Sequence, residues 1–552
     1  MSTAKEKSNM KELVYQKGIQ IESDTIYKAT ESLYDFWIED TVSSDNKEYF
    51  SSSPIVSDVN ERIAFVLKDL KNVVLDFGGA ILMFHGRIVP FILDNCENVT
   101  VKNFKVDYDR PFYTQATVLE CDSEHMRIRI DEGFDYRIED GYLYVMSDTW
   151  EKKLNQHDCL LWLYDTTGVK NYEIILALFG PEIFPNENPP LPIRQIMIEE
   201  QGDEIVLTGE FPHTWDCNEN NNRLIFTHEI RDKNTITLVG CKNIYIKDFT
   251  LIHGASMGIT AMRSANIYMD NYSMYMNYDG NGRMVTNNAD AIHFFTCYGE
   301  VVLRNSYMDG LLDDIINIHN NYLEVRGVNG NHLIASYPGS DIDVHVPFFV
   351  LGDEALIYRQ KTQEIKGQYQ VKKIVLDEVN RQYILEMDRA VEDIEEGDMV
   401  ENISAQPEIL IENCKFGKFR GTSRLQSRGK TIVRNCEFNN EAVDLLFTGD
   451  MTYWFESGPV ADFTIENCTF NAKGGAPRIA FTGGEVEYTD KANYYHKNIK
   501  VKNCHFNSGF VASLYHVENF EFKNNTGETP MIIRAQDSIG LDVENAQVEV
   551  VC

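Results

Sequence analysis

Several things are scarce in this sequence, and each absence excludes something. No run of ~18 consecutive apolar residues occurs, so nothing reads as a membrane-spanning helix. Basic residues are few: 51 Lys and Arg stand against 85 Asp and Glu, a formal net charge of −34. Nucleic acids and anionic membranes both need basic patches, so neither is an expected partner, whereas a neutral ligand such as a sugar is not disfavoured. The eleven cysteines are spread along the chain without a C-x-x-C pair or a zinc-like spacing. The opening MSTAKEKSNMKEL has no apolar leader core. A cytoplasmic location is therefore expected, although a secreted chain trimmed of its leader would look the same. Helical spacing is nearly absent beyond the first ~70 residues.

What is present is a repeat. A short alternating strand, then Asn or Asp, then a small or apolar residue, then an aromatic one recurs as NVTVKNFKV (98–106), NIYIKDFTL (243–251), EVVLRNSYM (300–308), EILIENCKF (408–416), KTIVRNCEF (430–438), DFTIENCTF (462–470), NIKVKNCHF (498–506) and NFEFKNNTG (519–527). Asn413 and Asn435 are 22 residues apart, and Asn503 and Asn524 are 21 apart. A period of ~20–25 residues with short strands marks a solenoid whose coils bury their inner faces only by stacking. The leucine-rich signature L-x-x-L-x-L is missing. The expected fold is all-β: a right-handed parallel β-helix. Its Asn residues should turn the chain and form a ladder. Cys414, Cys436, Cys468 and Cys504 should be reduced thiols buried in the core.

Two stretches break the phrase. Residues 111–235 and 321–403 alternate with period two, carry turn signals and lack the Asn-x-Phe element, and are predicted to be two inserted small antiparallel β-barrel or sandwich subdomains. The division that follows is a cap with the first coils (1–110), the first insert (111–235), coils with an acidic cluster (236–320), the second insert (321–403) and the last coils (404–552). NERIAFVLKDLKN (60–72) is read as one helix in the cap.

The chemically informative passage is NNADAIHFFTCYGEVVLRNSYMDGLLDDIINIHNNY (287–322). Asp290 precedes Asp313 and Asp314 by 23 and 24 residues, one turn of the solenoid. Aligning the apolar positions sets Ile292 over Ile316, Phe294 over Ile318, Asp290 over Asp314 and His293 over Asn317. Coils lie ~4.8 Å apart, so carboxyl groups so placed cannot all ionise freely and at least one pKa should rise. An acid beside an ionised base is what glycosidic cleavage requires. Asp is also common at turns, but three in two consecutive coils, flanked by His293, Asn317 and His319, are more than punctuation. A calcium site is another use of such carboxylates. A lyase would need a basic residue, no Lys lies between Asn287 and Tyr322, and Arg304 falls inside the strand phrase as a structural residue.

Asn288-Ala-Asp290 followed by Asp313-Asp314 resembles the paired acidic motifs of polygalacturonases, which are inverting β-helix glycosidases, but the downstream Gly-His-Gly and Arg-Ile-Lys motifs of that family are not at the expected place. A closer resemblance is to glycoside hydrolase family 110, bacterial exo-α-1,3-galactosidases of the blood-group B cleaving type. DYDRPFYTQATV (107–118), NADAIHF, DDIINIH and GDMTYWFESGPVADFTIENCTF (449–470) carry it. The sequence departs from the pattern at Asn320, where Gly is expected, and in DIDVHVPFFVLGD (341–353).

The resemblance implies an inverting glycosidase with Asp290, Asp313 and Asp314 as catalytic groups. The substrate would be an oligosaccharide or glycoconjugate ending in α-galactose, and no metal or other cofactor would be needed. Asn288, His293, Asn317 and His319 flank the three. His253 and Arg263, one coil earlier, are candidates to line the same groove. So are Arg420 and Arg424, which can hold hydroxyls or orient a carboxylate, and Asp450 and Glu456. Trp454 can offer an apolar platform to a sugar ring. Other terminal sugars (an α-N-acetylgalactosaminide or a β-arabinoside) and a carbohydrate-binding β-helix without activity stay open, as does a homodimer.

Overall fold

The computed structural model describes residues 9–13, 20–46, 49, 51–52, 55–56, 61–154, 160–165, 171–179, 193–211, 222–228, 233–275, 282–338, 348–417, 422–440, 443–449, 451, 455–472, 475–482, 494–528 and 530–550. Apart from one 3₁₀ turn, Ile38–Asp40, every regular element among them is a strand. The helix expected in NERIAFVLKDLKN is instead the strand Glu61–Lys68. Phe65 and Leu67 point into the core and pair in parallel with Phe91 and Leu93, while Ile63 and its partner Val89 pack in a separate cluster with Tyr49 and Ile92. Its apolar residues satisfy both periods on paper, and the neighbouring strand decides between them.

Two parallel sheets form the walls of the β-helix. In one, Ile244, Ile267, Val301, Ile409, Thr431, Phe463, Ile499 and Phe520 lie in register across successive coils. In the other, Ile236–Val239, Ile259–Met262, Ile292–Phe295 and the start of Ile316–Asn329 stack in parallel. Crossovers between parallel strands are right-handed in nearly all proteins.

The recurring phrase is a corner. Asn413, Asn435, Asn467 and Asn503 all have φ near +55°, between +54° and +56°, a left-handed conformation that Asn tolerates better than most residues. Elsewhere the corner amides bond coil to coil: Asn266 Nδ2 donates to Asn243 Oδ1 (2.8 Å), and Asn243 Nδ2 to Asn98 Oδ1 (2.9 Å). Cys414, Cys436, Cys468 and Cys504 are buried and free, each Sγ resting against a backbone carbonyl. Phe438, Phe470 and Phe506 stack with centroids 4.8 and 4.9 Å apart. Cys121, in the first insert, is disulfide-bonded.

Both interruptions are β-barrels. The first runs from Tyr113–Cys121 to Asn222–Thr227 and closes through those two strands, with a three-stranded meander (Tyr136–Glu139, Tyr142–Met146, Glu151–Leu154) beside it. The second closes through six antiparallel pairings among Ile316–Asn329, His332–Ser336, Glu354–Tyr358, Ile365–Asp377, Gln382–Met387 and Met399–Asn402. Ile316–Asn329 thus belongs to both bodies. Ile316 to Ile318 lie in the β-helix wall against Ser423 to Leu425, while Tyr322 to Glu324 lie in the barrel against Met399 to Glu401. At the joint, Asn320 and Asn321 pair antiparallel with Ser457 and Glu456. This places the later segment over the carboxylate-bearing coils.

Candidate active site

Alternation in the second wall sends Ile292, Phe294, Ile316, Ile318 and Leu425 into the core. It leaves Thr260, His293, Asn317 and Arg424 as one outward row of paired neighbours. Just before the strands, Gly258 N–H donates to Asp290 C=O (2.9 Å) and Ala291 N–H to Asp314 C=O (3.1 Å), so Asp290 and Asp314 occupy the same place in adjacent coils. The Asn287 amide holds the first loop by donating to the carbonyls of Ala289 (2.9 Å) and Asp290 (2.8 Å). Coil length and the alignment of apolar positions in the sequence give the same register.

Asp314 is buried, and its pKa is pushed well above the usual carboxylate range. Burial is the main cause, and the charges of Asp290 and Asp313 add to it. Three contacts oppose the rise. Arg424 Nε lies 3.8 Å from Asp314 Oδ2, and both the Thr422 backbone N–H and its hydroxyl donate to Asp314 Oδ1. Burial and like charge prevail. Asp313 is only part-buried, and its Oδ1 accepts the Asp314 N–H at 3.1 Å.

A line of polar groups leads away from Asp290. His293 Nδ1 is 2.6 Å from Asp290 Oδ2, and His293 Nε2 is 3.1 Å from His319 Nε2. His319 Nδ1 is 2.6 Å from the Asn320 carbonyl. That oxygen can only accept, so Nδ1 carries the hydrogen and Nε2 offers its lone pair. Burial holds the His319 pKa down to about 4, with Glu456 opposing, so the ring is neutral near pH 7. Glu456 Oε1 lies 3.6 Å from His319 Nε2, and Arg424 Nη1 lies 3.5 Å from Glu456 Oε2. His293, His319 and Glu456 each present a ligand atom within 4.8 Å of the others.

Other residues expected in the groove do different work. His253 is fully buried; its Nε2 accepts the Phe112 N–H (3.0 Å) and its ring lies among Phe112 and Tyr113. Burial keeps its pKa well below the ordinary value. Asn288 donates to the Phe112 carbonyl (2.7 Å). Both residues thereby tie the coil to the neck of the first barrel. Arg263 follows the strand Ile259–Met262 in a left-handed conformation (φ +50°), near enough to Tyr337 of the second barrel for its charge to act on that phenol. Asn320 spans the neck of that barrel by donating to the Asn402 and Ala405 carbonyls. Arg420, Asp450 and Trp454 lie outside the described residues. Sequence reading missed Thr422, and also Thr448, whose hydroxyl is 3.3 Å from Arg424 Nη1. Thr422 sits between the two arginines it did pick out.

Together, fold and site define a parallel β-helix protein with clustered carboxyl groups in its wall, a chemistry suited to cleaving glycosidic bonds. Among curated proteins, the chain is similar to alpha-1,3-galactosidase A of Shewanella woodyi: 26% identity over 480 residues, 85% of this chain and 74% of that one. It is also similar to alpha-1,3-galactosidase B of Bacteroides thetaiotaomicron: 27% identity over 514 residues, 89% of this chain and 79% of that one. These relatives bear out the resemblance to glycoside hydrolase family 110. No family model matches. Among solved structures, a family 28 exopolygalacturonase of Yersinia enterocolitica aligns over 94% of this chain and 79% of its own at 12% identity, with a TM-score of 0.28. So low a score adds nothing to the strand register above.

Proposed function

We propose that this protein is an exo-acting glycoside hydrolase that releases terminal galactose from α-linked, α-1,3 type, oligosaccharides or glycoconjugates, with inversion at the anomeric carbon. The names of the two relatives support the sugar. The observation that carries the chemistry is the stacking of Asp290 on Asp314 with Asp313 alongside. Asp313, part-exposed and outside the stacked pair, gives its proton to the departing oxygen. Asp290 and Asp314 share a proton and draw another from the attacking water; two carboxyl groups so coupled titrate as one unit. The Arg424 guanidinium balances their charge. Asn317, in the same outward row, has a side-chain carbonyl with no hydrogen-bond partner among the described residues and is placed to accept a sugar hydroxyl.

Proton NMR during hydrolysis of an α-1,3-galactosyl disaccharide tests this reading. β-Galactose should appear first and mutarotate afterwards. First appearance of the α-anomer would mean retention and end the two-base scheme. A second assignment has one observation in its favour: the raised pKa of Asp314 suits a general acid. A dinitrophenyl α-galactoside, whose leaving group needs no proton, separates the two. The variant of the true acid keeps most of its activity on that substrate, and the variant of the base does not.

A further inference from the structure

The contact between His293 and His319 raises a question of hydrogen count. His319 spends its Nδ1–H on the Asn320 carbonyl, so its Nε2 is a lone pair. His293 turns Nδ1 to the Asp290 carboxyl group at 2.6 Å. When Asp290 is ionised and the His293 ring is neutral, that nitrogen carries the ring's hydrogen, and the His293 Nε2 is a lone pair as well. The two nitrogens then face each other at 3.1 Å with nothing to donate between them, in a setting where both rings are almost completely buried. A positive centre between the nitrogens removes this repulsion.

We propose that His293 Nε2, His319 Nε2 and Glu456 form a binding site for one divalent transition-metal ion of the zinc class, with the fourth position open. The geometry suits such an ion. With zinc–nitrogen bonds of ~2.0–2.1 Å, nitrogens 3.1 Å apart subtend about 100° at the metal, and the 3.6 Å between His319 Nε2 and Glu456 Oε1 subtends about 120°. Both values bracket the tetrahedral angle. The surroundings are those of a metal site: each histidine is oriented through Nδ1, one by a carboxyl group and one by a backbone carbonyl. Asp290, Asp313 and Asp314 lie nearby and Arg424 offsets only part of their charge, so a dication lowers the field they create. The ligands come from two adjacent coils and from the segment that pairs across Asn320 and Asn321. The ion would therefore tie that segment to the wall and hold the His293 ring against Asp290. Here His293 is a positioning residue, and the sugar chemistry stays with the carboxyl groups. This runs against the expectation from sequence that no metal is bound, because Glu456 reaches the histidines only through pairing at the barrel joint.

The test uses the whole protein, stripped with a chelator and titrated with zinc chloride, with bound metal measured by mass spectrometry and the thermal midpoint followed in parallel. About one equivalent of zinc per chain is expected, with a midpoint several degrees higher. His319→Gln and Glu456→Gln should each lower the bound zinc several-fold while keeping the midpoint of the stripped protein. Should a variant fail to fold, cobalt(II) added to the stripped wild type reports on the site directly, through the intense visible absorption of four-coordinate cobalt. Less than a tenth of an equivalent of zinc, uptake that both variants leave unchanged, or only the faint spectrum of six-coordinate cobalt would each overturn the site. Galactose release is measured on the same samples. Galactose release by protein that takes up no zinc on titration sinks the metal site and leaves the proposed function standing, whereas stoichiometric zinc with no galactose release does the reverse.

Discussion

The two walls of one β-helix use repetition differently. Along the corner of the first wall, coil after coil brings back the same residues: Asn413, Asn435, Asn467 and Asn503, each followed by a buried free cysteine and then by a phenylalanine two positions on. Across the second wall, neighbouring outward positions are Thr260, His293, Asn317 and Arg424, four residue types in four coils. Identical neighbours suit a ladder, in which each side chain needs a partner like itself. Unlike neighbours suit a site, in which one group must hold a proton, another must not, and a third must carry positive charge. Where a solenoid stops repeating itself, it has been given another task.

The largest effect that would sharpen this contrast is on rate. Asp290→Asn and Asp314→Asn remove acid–base function from nearly isosteric side chains and are expected to lower kcat/KM by at least 10²–10⁴-fold. Circular dichroism should be unchanged, and full activity in either variant would remove that residue from the mechanism. The converse change is Phe470→Ala, in the stacked ladder. It should cost about 3–5 kcal/mol of stability, read by urea unfolding, with kcat/KM unchanged wherever the variant is folded.

A smaller effect joins site and stability. Because the folded-state pKa of Asp314 is raised, the folded protein prefers this group protonated. Its contribution to stability is therefore intact below the unfolded value of about 4 and is lost as pH rises toward the folded value. Asp314→Asn, which never ionises, should match the wild type near pH 4 and be more stable at pH 7. Equal urea midpoints at both pH values would show that Asp314 bears no such strain. The smallest expected effect is at a corner. Asn435 has φ +55°, so Asn435→Ala should destabilise by about 1–2 kcal/mol and Asn435→Gly by less. Equal losses would assign the cost to the amide ladder rather than to backbone conformation.

Much of this could be read from the sequence because coil length is a ruler. The 24 residues between Asp290 and Asp314, with isoleucines two positions after each, place the two acids in adjacent coils before any coordinates are known. The two barrels announced themselves by losing the Asn-x-Phe phrase. What could not be read depends on contacts between segments far apart in the chain. Thr422 reaches Asp314 across the entire second barrel, and Glu456 meets His319 through antiparallel pairing at the joint between wall and barrel. The contact of His253 with Phe112, from the neck of the first barrel, is of the same long-range kind.

The strand Ile316–Asn329, shared by β-helix and barrel, also bears on how the protein is made. Asp290, Asp313 and Asp314 leave the ribosome together and can stack as soon as their two coils exist. Arg424 and Glu456 emerge only after the barrel between them and the acids has been synthesised. For that interval the nascent chain holds clustered carboxyl groups without the guanidinium that balances them. Domains generally fold in order of synthesis, so closure of the second barrel becomes the event that delivers the missing charge, and a barrel slow to close would delay maturation of a site to which it contributes no carboxylate of the triad.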